Sequence, residues 1–299
     1  MSDEIRAWVN GRPANEGPAL EAIDHGVTVG DGVFETAKVV DGRPFALTRH
    51  HDRMDRSLAG LGLPPLERDR MDASIRGVLG EGPSISFGRL RYTVTAGPGP
   101  MGSDRLDGPM TYIVMAGEVP RPEPTTAVAV VPWTRNERAA TVGLKTTSYA
   151  DNVVALAAAK ALGATEALFG NTVGDLCEGT GSNVFVVVDG VVYTPPLSSG
   201  PLAGITRALT IEWSREDGIE VREERLPLSV LSECDEVFIT SSTRDVQAVH
   251  AVRVVGEVTT AVGVLPAPDV VGRELPAPGP VTERIAQLFA KRSEEQVDP

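Results

Sequence analysis

Lys145 is one of only four lysines in 299 residues, the others being Lys38, Lys160 and Lys291. It closes a short apolar run (Thr141, Val142, Gly143, Leu144) and leads directly into the hydroxyl-rich turn Thr146-Thr147-Ser148. Such a place holds a partly desolvated amine, and desolvation lowers an ammonium pKa toward the neutral, nucleophilic form. Most isolated lysines are solvated surface charges, so the neighbours decide. Within forty residues of Lys145 stand Tyr149, Asn152 and Glu178, the last set between Leu176-Cys177 and a Gly-Thr-Gly-Ser loop. A carboxylate beside apolar residues requires a cationic or protonated partner.

The composition narrows the classes of function. A chain of 41% hydrophobic and 23% charged residues is globular, long enough for one large or two ordinary domains. A net charge of −13 and a pI near 4.8 argue against a nucleic-acid partner or an anionic membrane surface, and favour small-molecule substrates. Two cysteines make no disulfide framework, and MSDEIRAWVNG has neither a basic n-region nor an apolar h-region. With no apolar run of about 18 residues, the protein reads as cytoplasmic with no membrane partner. His25, His50, His51 and His250 are too few and too scattered for a metal cage, so no metal is expected. Gly97, Gly99 and Gly102 match a dinucleotide fingerprint, but Pro98 and Pro100 interrupt it and turn residues follow where a helix would have to begin.

Two groups of elements must position these residues. In the first, residues 5–9, 33–40, 44–47, 84–95 and 110–115 read as strands, with a hairpin turn at Asp41-Gly42. Helices are expected over 48–61, with Thr48 as N-cap, and over 67–79. Residues 117–124 carry three prolines and no apolar periodicity, which marks a linker. Beyond it, strands are expected over 127–131, 166–169, 184–188, 191–193, 220–224 and 236–240, and helices over 150–162, 205–215 and 281–290. The domains are therefore 1–118 and 126–299, joined by 119–125. The prolines and acids after Leu265 read as surface loop and tail.

LKTTSYADNVVALAAAKALGATEALF, then GDLCEGTGSNVFVVVDGVVYTPP and GPLAGITRALTIE, resemble the central signature of the class IV (fold type IV) pyridoxal-phosphate enzymes. The likeness extends to DHGVTVGDGVFETAKV and HHDRMDRS upstream and DEVFITSST downstream, covering roughly residues 5 to 250. It implies an α+β, two-domain fold: a small α/β sandwich domain plus a larger pseudobarrel domain, with the cofactor, pyridoxal 5′-phosphate, held between them. It also implies a homodimer.

By this resemblance Lys145 bonds the cofactor and moves the substrate's α-proton. Glu178 keeps the pyridine nitrogen protonated, and Tyr149 meets the cofactor's phenolic oxygen. The phosphate falls to Gly204, Ile205 and Thr206 at a helix start, to Ser241 and Ser242 after a strand, and to Arg53 in the pattern His50, Arg53, Ser57. Leu202 packs under the ring. Phe34, Glu35 and Thr36 line the substrate pocket with Thr243, and Arg91 stands where the branched-chain enzymes place a carboxylate-binding arginine. The D-amino-acid enzymes use an Arg-x-His trap, whose positions here fall on Met101 and Ser103. Thr36-Ala37-Lys38 is similar to the Thr-Ala-Arg of aminodeoxychorismate lyase.

The implied activity is amino-group transfer between an apolar L-amino acid and a 2-oxo acid. A lyase releasing 4-aminobenzoate and pyruvate is the alternative, and a D-amino-acid or R-selective amine transaminase is the second. A non-catalytic binding protein on the same scaffold is disfavoured by the presence of both Lys145 and Glu178.

Overall fold

A computed structural model describes residues 5–17 and 19–299; residues 1–4, read above for targeting signals, lie outside them. The chain divides into two compact units. One runs to Arg121 and takes in Leu144–Tyr149 and Gln296–Pro299; the other comprises Pro122–Gly143 and Ala150–Glu295. The segment carrying Lys145 thus groups with the first unit, although chain order alone counts it with the second.

The first unit is an antiparallel sheet backed by two helices. Its strands are β1 (Arg6–Val9), β2 (Gly32–Val40), β3 (Phe87–Thr95) and β4 (Thr111–Glu118), in the order β1-β4-β3-β2, with the pairs Arg12–Pro13 and Arg43–Pro44 at the two edges. The helices are α1 (Leu47–Gly60) and α2 (Arg68–Gly80). Strand alternation sends Val33, Ala37 and Val39 of β2, and Leu90, Tyr92 and Val94 of β3, into one core with Met54, Leu58, Met71, Ile75 and Val78 of the helices. The β2 hairpin turns on Asp41 and Gly42, whose φ values of 48° and 74° suit a type I′ turn.

The chain departs from the sequence expectation just beyond this hairpin. The strand expected over 44–47 ends at Pro44, because Ala46 takes a left-handed conformation (φ 55°, ψ 39°) that redirects the backbone into α1. Ala46 and not Thr48 is the N-cap, and Thr48 lies inside the helix.

The second unit is built on a mixed sheet. Its elements are β5 (Thr125–Arg135), α3 (Ala150–Ala161), β6 (Glu166–Asn171), β7 (Leu176–Gly179), β8 (Asn183–Val188), β9 (Val191–Thr194), α4 (Ile205–Glu216), β10 (Val221–Glu223), β11 (Glu236–Ser241), β12 (Asp245–Val254) and α5 (Pro280–Glu295). The hydrogen-bonded order is β10-β9-β8-β11-β12-β5-β6-β7, with Arg273–Glu274 on β12. β7 and β8 touch although four strands stand between them in that order, and a sheet meets both conditions only by curling into a pseudobarrel.

Strands buried on both sides explain the unbroken apolar runs. Along β8, Val184 and Val186 join one core with Val128, Leu168 and Ile239, while Phe185 and Val187 join another with Phe238, Ile211 of α4 and Ile285 of α5. A third core sets Ala155 and Ala159 of α3 against Ala127, Ala129 and Ala167, small residues that let helix and sheet approach closely. β7 and β12 have no counterpart among the expected strands. The helix expected over 281–290 is α5, which spans Pro280–Glu295, and the residues after it group with the first unit.

Phe185 and Phe238 are cross-strand partners in β8 and β11, stacked with ring centroids 4.7 Å apart and both without exposure. Phe238→Ala is expected to destabilise the protein by about 3–5 kcal/mol in urea unfolding. A loss under about 1 kcal/mol would mean that this pair is not a core contact.

Candidate active site

In the first unit the amine is placed by its backbone. The main-chain N–H of Lys145 donates to Ser57 Oγ of α1 at 3.2 Å, and its carbonyl accepts from Phe34 N–H of β2 at 2.9 Å. Thr147 N–H donates to Gly32 O at 2.9 Å, so the stretch around Thr146 extends β2's edge through an antiparallel bridge to Val33. Thr147 Oγ1 adds a bond to Gly30 O at 2.8 Å, where the chain turns with φ +69°. These bonds set the lysine opposite Phe34 and leave its side chain half-buried.

Lys145 Nζ stands 4.4 Å from the centroid of Phe34 and 5.9 Å from that of Tyr149. The two rings meet edge to face at 5.2 Å. Arg91 lies over the same Phe34 ring, its Cζ 3.7 Å from the centroid. The register explains this: Phe34 pairs with Thr93 and Thr36 with Arg91, and side chains two apart on a strand share a face. Burial lowers the Arg91 pKa from its ordinary value. Four residues expected at the site, Lys145, Tyr149, Phe34 and Arg91, are thus gathered on one aromatic ring, with half-buried Thr36 alongside.

Glu35 points the other way. It has no exposure and sits between β2 and α1, accepting from Arg53 Nε at 2.8 Å and Arg53 Nη2 at 2.6 Å, with His50 Nδ1 2.6 Å from Oε2. Burial alone raises the Glu35 pKa, but the Arg53 charge and the bonds from Arg53 and His50 outweigh it and hold the carboxyl well below the usual carboxylate range. His50 is pushed down, by burial first, against the pull of Glu35. Arg53, expected at the phosphate, is therefore fixed by a bidentate ion pair to Glu35 through Nε and Nη2. The sequence places Glu35 with Phe34 and Thr36 in the pocket lining; the strand period moves it to the helix side.

In the second unit Glu178 is held at both oxygens. Its Oε2 accepts from Leu202 N–H at 2.9 Å, and its Oε1 lies 3.2 Å from Arg135 Nε. That contact is between charges, since the Arg135 N–H is not aligned on an acceptor. The Arg135 guanidinium also covers the Phe169 ring at 4.1 Å. Arg135 is the residue that sequence reasoning missed. The apolar flank of Glu178 signals a cationic partner, but nothing in the sequence says which cation.

Asn183 joins the remaining pieces. It pairs with Thr240 across β8 and β11, and its Nδ2 donates to Leu202 O at 2.9 Å. The turn Leu202–Gly204 and the end of β11, with half-buried Ser241, Ser242 and Thr243, therefore flank the same residue. Gly204 is the N-cap of α4, and a Cβ there would run into the Asn183 side-chain oxygen and displace it. No side chain caps α4, and Ile205 and Thr206 open it. Backbone N–H groups at such a helix start, with the dipole behind them, suit a dianion.

Around the substrate positions, Met101 and Ser103 are exposed, and Arg105 of the same loop is engaged by Asp31 through Nε at 2.7 Å and Nη2 at 2.5 Å. Among the described residues no group of three His, Cys, Asp or Glu side chains is placed to hold a metal ion, and no helix is long and apolar enough to cross a membrane.

Residues 32–252 match the family described as Amino-transferase class IV. A protein of Methanocaldococcus jannaschii, provisionally named a branched-chain-amino-acid aminotransferase, is 33% identical over 270 residues, covering 85% of this chain and 93% of that protein. The D-alanine aminotransferase of Staphylococcus epidermidis is 30% identical over 82% of this chain and 88% of its own. Aminodeoxychorismate lyase of Bacillus subtilis is 30% identical over 80% and 84%. In fold, the chain is similar to a crystal structure of the branched-chain aminotransferase of Thermoproteus uzoniensis with norvaline, at a TM-score of 0.81 and 24% identity, covering 96% of this chain and 93% of that one.

The buried Glu35 makes a stability statement. Its folded pKa lies below the ordinary value of 4.5, so its contribution is present above pH 4.5 and drains away as the pH falls below it. Glu35→Gln leaves Arg53 without its counter-charge and is expected to cost about 3–5 kcal/mol at neutral pH in urea unfolding, with a shallower fall in stability at acid pH. A neutral-pH loss within about 0.5 kcal/mol and an unchanged acid limb would remove the ion pair from the account.

Proposed function

Since the chain belongs to the class IV aminotransferases, a family of pyridoxal 5′-phosphate enzymes, we propose that it transfers an amino group between an apolar L-amino acid and a 2-oxo acid. The residues present fit that cofactor. A half-buried amine stands on two aromatic rings, a carboxylate is held at both oxygens, and α4 starts at Gly204 with no side-chain cap. Pyridoxal phosphate supplies an electron sink for the substrate's α-carbon.

The chain's own residues do the rest. Lys145 would hold the cofactor through Nζ and, once the substrate's amine has displaced it and freed that nitrogen, would take and return the α-proton. Its backbone bonds to Ser57 and Phe34 keep that nitrogen's reach constant. Tyr149 would donate to the cofactor's phenolic oxygen. Glu178, its carboxylate fixed by Arg135 and Leu202 N–H, would hold a proton on the pyridine nitrogen. The N–H groups of Ile205 and Thr206, the hydroxyls of Ser241 and Ser242, and Arg53 would bind the phosphate, with Leu202 as an apolar contact for the ring. We read Thr36 and Thr243 as further substrate contacts.

The observation that carries the substrate class is Arg91. A guanidinium 3.7 Å over the ring that also carries Lys145 Nζ puts a carboxylate anchor beside the reactive amine. A transaminase must accept two differently shaped acids in one pocket, and a cation at their shared carboxylate serves both. The lyase reading rests on the Bacillus subtilis relative and on Thr36; the D-amino-acid reading, with Met101 and Ser103 in the trap positions, has the Staphylococcus epidermidis relative behind it. We also read the enzyme as a cytoplasmic homodimer. Val153 and Val154 on α3, 65% and 53% exposed, present an apolar face suited to a subunit contact, and Cys177 and Cys234 are unpaired as in a reducing compartment.

The test is a half-reaction without acceptor. Adding L-leucine, L-isoleucine or L-valine alone is expected to bleach the visible band of the bound cofactor and to leave pyridoxamine phosphate. Arg91→Ala should weaken this by on the order of 10- to 100-fold in apparent affinity, as for loss of a hydrogen bond between charged groups. A band unmoved by these acids, with pyruvate released catalytically from aminodeoxychorismate, would make the protein a lyase. Bleaching by D-amino acids alone would reverse the stereochemistry.

A further inference from the structure

The helix that carries His50, Arg53 and Ser57 is capped from the far end of the chain. Its N-cap residue is Ala46, which brings no side-chain acceptor to the first turn of α1. Asp298 supplies one, 250 residues away: its Oδ1 accepts from Thr48 N–H at 3.0 Å and its Oδ2 from Thr48 Oγ1 at 2.6 Å. Val297 O accepts from Ala46 N–H at 2.8 Å on one side, and the backbone oxygen of Pro299 accepts from Arg49 Nε at 2.9 Å on the other. The segment Gln296–Pro299 is thus laid across the start of α1, with a carboxylate at the positive end of its dipole.

The turn so capped leads straight into the buried cluster. His50 is the fourth residue of α1 and Arg53 the seventh, and both converge on Glu35. When the first turn frays, His50 leaves Glu35 and Arg53 loses its fixed direction. We propose that Asp298 is a positioning residue for the cofactor's phosphate: it caps α1 from outside and thereby holds Arg53 in its binding direction. The proposal rests on the reading above that Arg53 binds that phosphate. A cofactor that needs an ordered Arg53 binds with an apparent affinity scaled by the fraction of molecules in which α1 is intact.

The experiment compares full-length Asp298→Ala and Asp298→Asn with the unaltered protein and with Arg53→Gln, by two readouts. Hydrogen exchange over residues 47–53 reports the cap itself. The dissociation constants of pyridoxal phosphate and of pyridoxal, which lacks the phosphate, report its consequence. Asp298→Ala is expected to speed exchange over 47–53 and to weaken pyridoxal phosphate measurably, by up to about tenfold, the limit set by one lost cap, while leaving pyridoxal unchanged. Asp298→Asn keeps an acceptor and should restore both, which general destabilisation would not do. Normal exchange in Asp298→Ala overturns the cap. Faster exchange with unchanged pyridoxal phosphate affinity, where Arg53→Gln does weaken it, makes Asp298 a purely structural cap and overturns the positioning role. An Asp298→Asn no better than Asp298→Ala overturns capping through an acceptor. An Arg53→Gln that binds both compounds normally shows instead that the phosphate reading of Arg53 is wrong, and the proposal falls with it.

Discussion

Everything at the amine depends on two main-chain bonds, from Lys145 N–H to Ser57 Oγ and from Phe34 N–H to Lys145 O. They tie a connecting segment to a helix and a strand already locked in one core. A lysine side chain has four rotatable carbons and loses about 2 kcal/mol of rotamer freedom when held, so a fixed Cα is the cheapest way to limit where its nitrogen goes. The Phe34 and Tyr149 rings then define the remaining space.

The same strand divides two kinds of electrostatics by its period of two. Phe34 and Thr36 face the amine and Arg91, where a half-buried guanidinium can meet an incoming carboxylate. Glu35 faces α1, where a carboxylate without exposure is matched by Arg53 and His50. One side is for binding and the other for bracing. A slip of one residue in the pairing of β2 with β3 would exchange them, burying a phenylalanine against Arg53 and putting an acid beside the amine.

What the sequence disclosed follows the range of the interactions involved. Lys145, Glu178 and the Gly204–Thr206 turn stand out by local signals, an isolated amine, an acid against apolar neighbours and a glycine opening a helix, whereas Tyr149 and the roles assigned to all of them come from the family resemblance. Partners set by tertiary register were not legible. Glu35 and Arg53 are only 18 residues apart, but their pairing depends on which face of β2 packs on α1. Arg135 reaches Glu178 through the adjacency of β5 and β6, and Asp298 reaches Thr48 across 250 residues. β12 was hidden for another reason: its pairing with β5 shifts register between Val249 and Ala251, and the bulge breaks the alternation that marks a strand.

The proposed activity turns on Lys145 being the residue that bonds the cofactor, and the presence of only four lysines in the chain makes this directly measurable. The purified protein is loaded with pyridoxal phosphate, reduced with borohydride, digested and mapped by mass spectrometry. The phosphopyridoxyl group is expected on the peptide containing Lys145, stoichiometrically, and on none containing Lys38, Lys160 or Lys291. Labelling at one of those three, or no lysine labelled in protein that has taken up the cofactor, would contradict it.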